Sequence, residues 1–161
     1  MKDEPNGSVF VLPRWEALPE LDLYMDQLIS LLEKYLAPLI DADQDKVISR
    51  AIINNYVKLK IIPAPVKKRY TREHIAYLII LCTLKSVLPL PVISKMLETR
   101  LQSQSVDVVY DCFCDIAEKR MRQIAEMVRA AGDDSANLPF EAALLSATGA
   151  YLAQYLTKQF L

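Results

Sequence analysis

Glycine is scarce in this chain, at 3 of 161 residues. A strand-rich fold turns often and fills many turns with glycine, so the shortage argues against an all-β architecture. It also leaves no glycine-rich loop to cradle a nucleotide phosphate, and neither a nucleophile elbow nor a zinc-protease pattern occurs. Histidine occurs once, at His74, and cysteine three times, at Cys82, Cys112 and Cys114. An odd thiol count without disulfide-like spacing implies reduced cysteines in a cytoplasmic protein. Cys112 and Cys114 fall within one predicted helix, about 200° apart around its axis, which does not suit a shared metal. No metal or cofactor is therefore expected. Long apolar runs are missing too. The longest, residues 75–84, is followed by Lys85 and reads as a buried helix rather than a membrane span. The opening MKDEPNGS is acidic and lacks a signal peptide's apolar stretch.

The most informative absence is local. Residues 46–72 contain no acid at all, yet carry Lys46, Arg50, Lys58, Lys60, Lys67, Lys68, Arg69 and Arg72. Residues 1–45 hold 3 bases against 10 acids, and residues 73–161 hold 8 against 10. The net charge of -1 hides this segregation. A concentrated basic segment in an otherwise acidic chain points to a polyanionic partner.

What is plentiful is apolar and helix-forming. Hydrophobic residues make up 52% of the chain, enough for a packed core. Residues 9–19 read as an extended arm, punctuated by Pro13 and Pro19 and anchored by Trp15. A first helix is predicted over 21–37, from the spacing of Leu21, Met25, Leu28, Leu32 and Leu36, with Asp22 near its start. Residues 41–45 read as a polar loop. A short second helix fits 49–60, capped by Ser49, with Ile52, Ile53, Tyr56 and Leu59 on its apolar face. Pro63 and Pro65 end it and favour extended chain. A third helix is predicted over 71–87, with Ile75, Leu78, Ile79 and Cys82 inward, and a fourth from Pro91 to about residue 101. Residues 102–105 form a polar joint. A fifth helix is predicted over 106–131, with Val109, Phe113, Ile116, Ile124 and Val128 toward a core, and a sixth over 139–159.

Helix, short capped helix, proline-led basic hairpin, helix, helix is the layout of a winged helix-turn-helix. In such a fold the short helix enters a major groove and the hairpin lies along phosphates. The expected fold is all-α: an extended arm over 1–20, a winged helix-turn-helix over 21–101 with a short wing between Pro63 and Tyr70, and a C-terminal two-helix hairpin within 106–161. The last region would serve dimerisation or an effector.

Specific blocks carry a resemblance. SRAIINNYVKLKIIP, residues 49–63, resembles the recognition helix of MerR-type regulators, which ends in a tyrosine and a Gly-Leu-Ile-Pro-like tail. RYTREH, residues 69–74, resembles their wing exit, and PLPVISKML, residues 89–97, the helix after it. DLYMDQ (22–27), NNYVK (54–58) and KKRYTREH (67–74) resemble more closely a bacterial family designated a domain of unknown function, DUF1836. That likeness covers roughly residues 12–100. The MerR pattern is departed from at residues 38–46, which replace a tight turn, and at the C-terminal end, where two helices stand instead of a long coiled coil. The resemblance implies a MerR-like winged helix and a DNA-binding role, and implies neither the dimerisation nor the inducer mechanism of MerR regulators.

The candidate DNA contacts follow by residue. Lys67, Lys68 and Arg69 suit phosphates; a solvated charge run is the alternative. Arg50, Asn54, Asn55 and Lys58 suit base or phosphate contact, since arginine pairs with guanine and asparagine with adenine. Either asparagine could equally cap a turn. Tyr70 could offer its hydroxyl to a phosphate, as could Tyr56, although Tyr56 reads better as half-buried. Arg72 adds a flanking charge. His74, alone in a first helical turn, reads as structural. Asp107, Asp111, Asp115 and Glu118 read as a solvated helix face. The expectation is a DNA-binding transcriptional regulator acting on double-stranded DNA as a homodimer, with an unidentified small-molecule effector as a further partner, no membrane partner and no catalytic set. The alternative is a helical protein-interaction module with no DNA role.

Overall fold

A computed structural model describes residues 11–37, 48–130, 144, 147–150 and 152. Among them lie one 3-10 turn at Trp15–Ala17 and five α-helices: α1 Met25–Leu36, α2 Arg50–Lys58, α3 Arg72–Leu84, α4 Leu90–Leu101 and α5 Val106–Ala130. Extended pairing among the described residues amounts to two antiparallel bridges, Leu23 with Tyr70 and Val66 with Arg69. The protein is all-α over this range. No helix among the described residues is long and apolar enough to cross a membrane.

One compact unit runs Pro13–Phe113. The polar joint at 102–105 lies inside it, as do the Trp15 arm and the first two turns of α5. Side-chain contacts account for this. The Tyr110 hydroxyl donates to the Pro13 carbonyl at 2.7 Å, and Asp111 accepts the Trp15 N–H at 2.9 Å. Arg14 donates to the Asp111 carbonyl at 3.1 Å. Tyr110 is fully buried.

Helix α3 is the hub of this unit. Its apolar residues go all the way round, so it buries His74, Ile75, Ala76, Leu78, Ile79, Ile80, Leu81 and Cys82. Helices α1 and α4 pack against it, and α2 packs against α1. The single faces of these three helices supply Leu28, Leu32 and Leu36 from α1, Ile53 and Tyr56 from α2, and Ile93 and Leu97 from α4. Each such side chain contributes about 1.5–3 kcal/mol when fully buried.

Three expectations change. Helix α1 starts at Met25 rather than near residue 21. Leu23 instead exchanges both backbone hydrogen bonds with Tyr70, at 2.9 and 2.8 Å, and Tyr24 becomes the N-cap, its N–H donating to Gln27. On α5 the buried positions are Tyr110, Cys114 and Glu118, one turn apart, whereas Ile116 and Ile124 are exposed. Val109 and Phe113 are partly exposed, and the burial of Val128 lies outside the described residues. The expected solvated acidic face is therefore interrupted, because Asp111 holds the arm and Glu118 is buried. All three cysteines are free thiols, Cys82 and Cys114 buried and Cys112 partly exposed.

The other unit comprises Met1–Leu12 and Cys114–Leu161. Within it Arg122 pairs with Glu118 one turn earlier. The expected sixth helix falls largely outside the described residues; those described in that stretch, 144, 147–150 and 152, are helical.

Candidate nucleic-acid interface

Helix α2 begins where Ser49 Oγ accepts the Ile52 N–H at 3.3 Å. Ile53 and Tyr56 turn inward, and burial pushes the Tyr56 hydroxyl up to about 12, with the Cys82 thiol nearby adding to the shift. At about 100° per residue, Arg50, Asn54, Lys58, Ala51 and Asn55 then fall on one arc of about 140°. All five are exposed. Neither asparagine side chain makes a hydrogen bond among the described residues, so the capping alternative finds no support in them.

The helix ends in a Schellman motif. The Ile61 N–H donates to the Tyr56 carbonyl and the Lys60 N–H to the Val57 carbonyl, both at 3.0 Å. Glycine is the usual occupant of the left-handed position this motif requires, but here it is Lys60, with φ 59°. Farther on, Arg69 donates its N–H to the Val66 carbonyl at 2.9 Å and closes a two-residue turn. Its central residues are Lys67 at φ 49° and Lys68 at φ 62°, the pattern of a type I′ turn, where Asn-Gly is preferred. These three lysines are the only non-glycine residues with positive φ among the described residues. A left-handed side-chain-bearing residue costs about 1–2 kcal/mol.

The arginines are placed differently from the lysines. Arg50 pairs with Asp26, in the first turn of α1. Arg69 lies over the Tyr24 ring, 4.4 Å from its centroid, and donates to the Tyr24 hydroxyl at 2.8 Å. The N-cap and first turn of α1 thus gather an arginine from α2 and another from the turn, although they are far apart in sequence. Arg72 is largely buried, 15% exposed, with Glu16 at 3.8 Å, Glu20 at 3.4 Å and the Trp15 ring 5.4 Å from its guanidinium carbon. Its Nη2 is close to Glu20 without a well-aligned hydrogen bond. Lys58, Lys60, Lys67 and Lys68 are exposed and have no ion pair among the described residues.

Below the turn sits His74. The Thr71 N–H donates to His74 Nδ1 at 3.0 Å, and Nε2 lies 3.2 Å from the Pro63 carbonyl. Nδ1 must therefore be the acceptor and Nε2 the protonated nitrogen. The Tyr70 ring meets the imidazole edge-on at 5.3 Å. Burial holds His74 below the usual histidine range, against an upward pull from the Pro63 carbonyl, Glu73, Ala64 and Asp22.

The expected contacts therefore separate. Arg50, Asn54, Asn55, Lys58, Lys67, Lys68 and Arg69 are on the exposed surface. Tyr70 is not: it is 3% exposed, bonded to Leu23 and packed on His74. Arg72 is likewise committed inside an acid and tryptophan cage. Lys46 lies outside the described residues. Sequence reasoning missed Tyr24, Asp26 and the backbone state of Lys60. Asp26 and Tyr24 stand in the DLYMDQ block, which marked that stretch without giving its role.

A family model described as Domain of unknown function (DUF1836) matches residues 13–113. The chain belongs to the DUF1836 family. The matched range is the same as the compact unit, so the DUF1836 domain includes the Trp15 arm and the start of α5. No curated protein and no solved structure matches the chain. Among the described residues no group of three or more His, Cys, Asp or Glu side chains could hold a metal ion.

Proposed function

We propose that this DUF1836 protein is a DNA-binding transcriptional regulator with a MerR-like winged helix, α2 being the reading helix and residues 63–70 the wing. The observation that carries this reading is the gathering of Arg50 and Arg69 at Tyr24 and Asp26. It ties the exposed face of α2 to the basic turn through one short stretch of α1. The α2 face has the chemistry of a groove reader: Arg50, Asn54, Asn55 and Lys58 offer donors for base edges or phosphates and no acid. The turn offers ammonium groups, which suit phosphate contact. A homodimer on a two-fold site belongs to the proposal, because a nine-residue helix reads few base pairs.

The test is a gel shift with mixed genomic duplexes over a range of salt. Binding that weakens steeply with salt is expected, and Lys67→Ala with Lys68→Ala should lower the log–log salt slope by about 1–2. No shift even at low salt would refute DNA binding and leave the protein-interaction module, whose basic surface would meet an acidic partner. Light scattering that finds a monomer at micromolar concentration would refute the homodimer.

A further inference from the structure

We propose that Lys60, Lys67 and Lys68 hold left-handed backbone positions because their ammonium groups meet the phosphodiester oxygens of a duplex, and that folding stability is given up to place them. The proposal deepens the DNA-binding reading and rests on it. It adds Lys60, which charge alone left as a flanking base, and it separates the phosphate contacts from the arginines.

Three observations carry it. First, every non-glycine residue with positive φ among the described residues is a lysine, and all three lie in the acid-free segment. Glycine suits such positions best and asparagine next, and at each of them only the side chain's chemistry argues for lysine. Second, both backbone motifs are complete without a lysine. The Schellman motif at Lys60 and the two-residue turn at Lys67 and Lys68 are closed by main-chain hydrogen bonds. No side-chain hydrogen bond or ion pair of these lysines among the described residues stabilises the fold in return. Third, the competing cations are engaged. Arg50 is held by Asp26, Arg69 by Tyr24, and Arg72 by Trp15, Glu16 and Glu20. Contact through any of those arginines requires an internal interaction to be shared or broken. The lysines require nothing to be broken.

Strain retained where the fold does not need it signals a function at that spot. A helix C-terminus favours a nearby cation, which suits Lys60 as it suits Lys58. It accounts for neither Lys67 nor Lys68, which are in a turn.

The experiment uses the full chain. Lys60→Gly and the pair Lys67→Asn with Lys68→Gly are compared with wild type by thermal denaturation and by fluorescence anisotropy on a genomic duplex at several salt concentrations. Both variants should melt several degrees higher. Both should bind the duplex at least several-fold more weakly, with the salt slope lowered by about one for each phosphate that is no longer neutralised. Lys67→Arg with Lys68→Arg should keep the slope and gain no stability. Lys95→Gln, a charge removed from the exposed surface of α4, should leave the slope unchanged. Variants that melt higher yet bind as wild type would overturn the proposal, since the strain would then be idle. Variants that melt lower would also overturn it, since the lysines would be supporting the fold. An equal fall in slope for Lys95→Gln would assign the effect to bulk charge and overturn it too. Wild-type protein that binds no duplex at any salt would refute the DNA-binding reading itself, a distinct result from any of these.

Discussion

His74 Nε2 lies 3.2 Å from the carbonyl oxygen of Pro63, eleven residues earlier in the chain. The other nitrogen of the same ring accepts the Thr71 N–H. One neutral imidazole therefore closes both ends of the segment that carries Lys67, Lys68 and Arg69. Protonating Nδ1 would set a donor against the Thr71 N–H. Burial keeps the folded-state proton affinity low, so between pH about 6.5 and the lowered folded value the unfolded chain binds more protons. The stabilisation is full above about 6.5 and is lost as pH falls through the folded value. Urea midpoints should decline from roughly pH 6.5 to 5, before most carboxylates titrate. His74→Gln should flatten that decline, and a wild-type midpoint unchanged over the window would show that His74 does not carry it.

The Tyr24–Arg69 contact combines a ring stacked on a guanidinium with a hydroxyl hydrogen bond. Both groups are exposed, which limits its strength. A double-mutant cycle with Tyr24→Ala and Arg69→Ala should give a coupling of about 0.5–1 kcal/mol. Tyr24→Phe should retain part of it, because the ring remains. A coupling indistinguishable from zero would mean that the N-cap residue of α1 does not hold Arg69 in solution.

Arg72 differs from the other described bases of the segment because it is sheltered. Its partners Glu16 and Glu20 are themselves exposed, so the ion pairs are screened and the packing on Trp15 matters as much. Arg72→Ala should destabilise the fold by about 1–2 kcal/mol. Arg72→Lys should recover little, since an ammonium does not stack as a planar guanidinium does. Neither change should alter the salt slope on DNA. A slope reduced by Arg72→Ala would return Arg72 to the surface contacts.

These relationships explain where the sequence was readable. Ser49, Pro63 and Pro65 bracket α2 and its exit by local chemistry, and the apolar run in residues 75–84 fits only a buried helix. Local signals fail where a distant partner decides. Leu21 continues the heptad-like spacing of α1, yet Leu23 pairs with Tyr70 and the helix begins later. On α5 apolar residues recur on more than one face, and only the arm contacts of Tyr110 and Asp111 fix which side turns inward. The basic segment was legible as charge but not as availability. Whether an arginine is occupied depends on Asp26, 24 residues from Arg50, and on Tyr24, 45 residues from Arg69. Positive φ at three lysines has no residue-type signature at all.

The buried hub makes its own prediction through Cys82. This thiol is 6% exposed on α3, and burial pushes it up to about 11 while Lys85 pulls weakly the other way. At pH 8 about one part in a thousand is thiolate, and that fraction is also shielded from reagent. Cys114 is fully buried, whereas Cys112 is partly exposed. Brief iodoacetamide treatment of native protein at pH 8 should therefore modify Cys112 first, with Cys82 and Cys114 reacting only after denaturant is added. Peptide mass mapping reads the outcome. Rapid native labelling of Cys82 would show that α3 opens readily, and the packing that positions the basic turn would then be looser than the contacts of Ile75, Leu78 and Ile79 require.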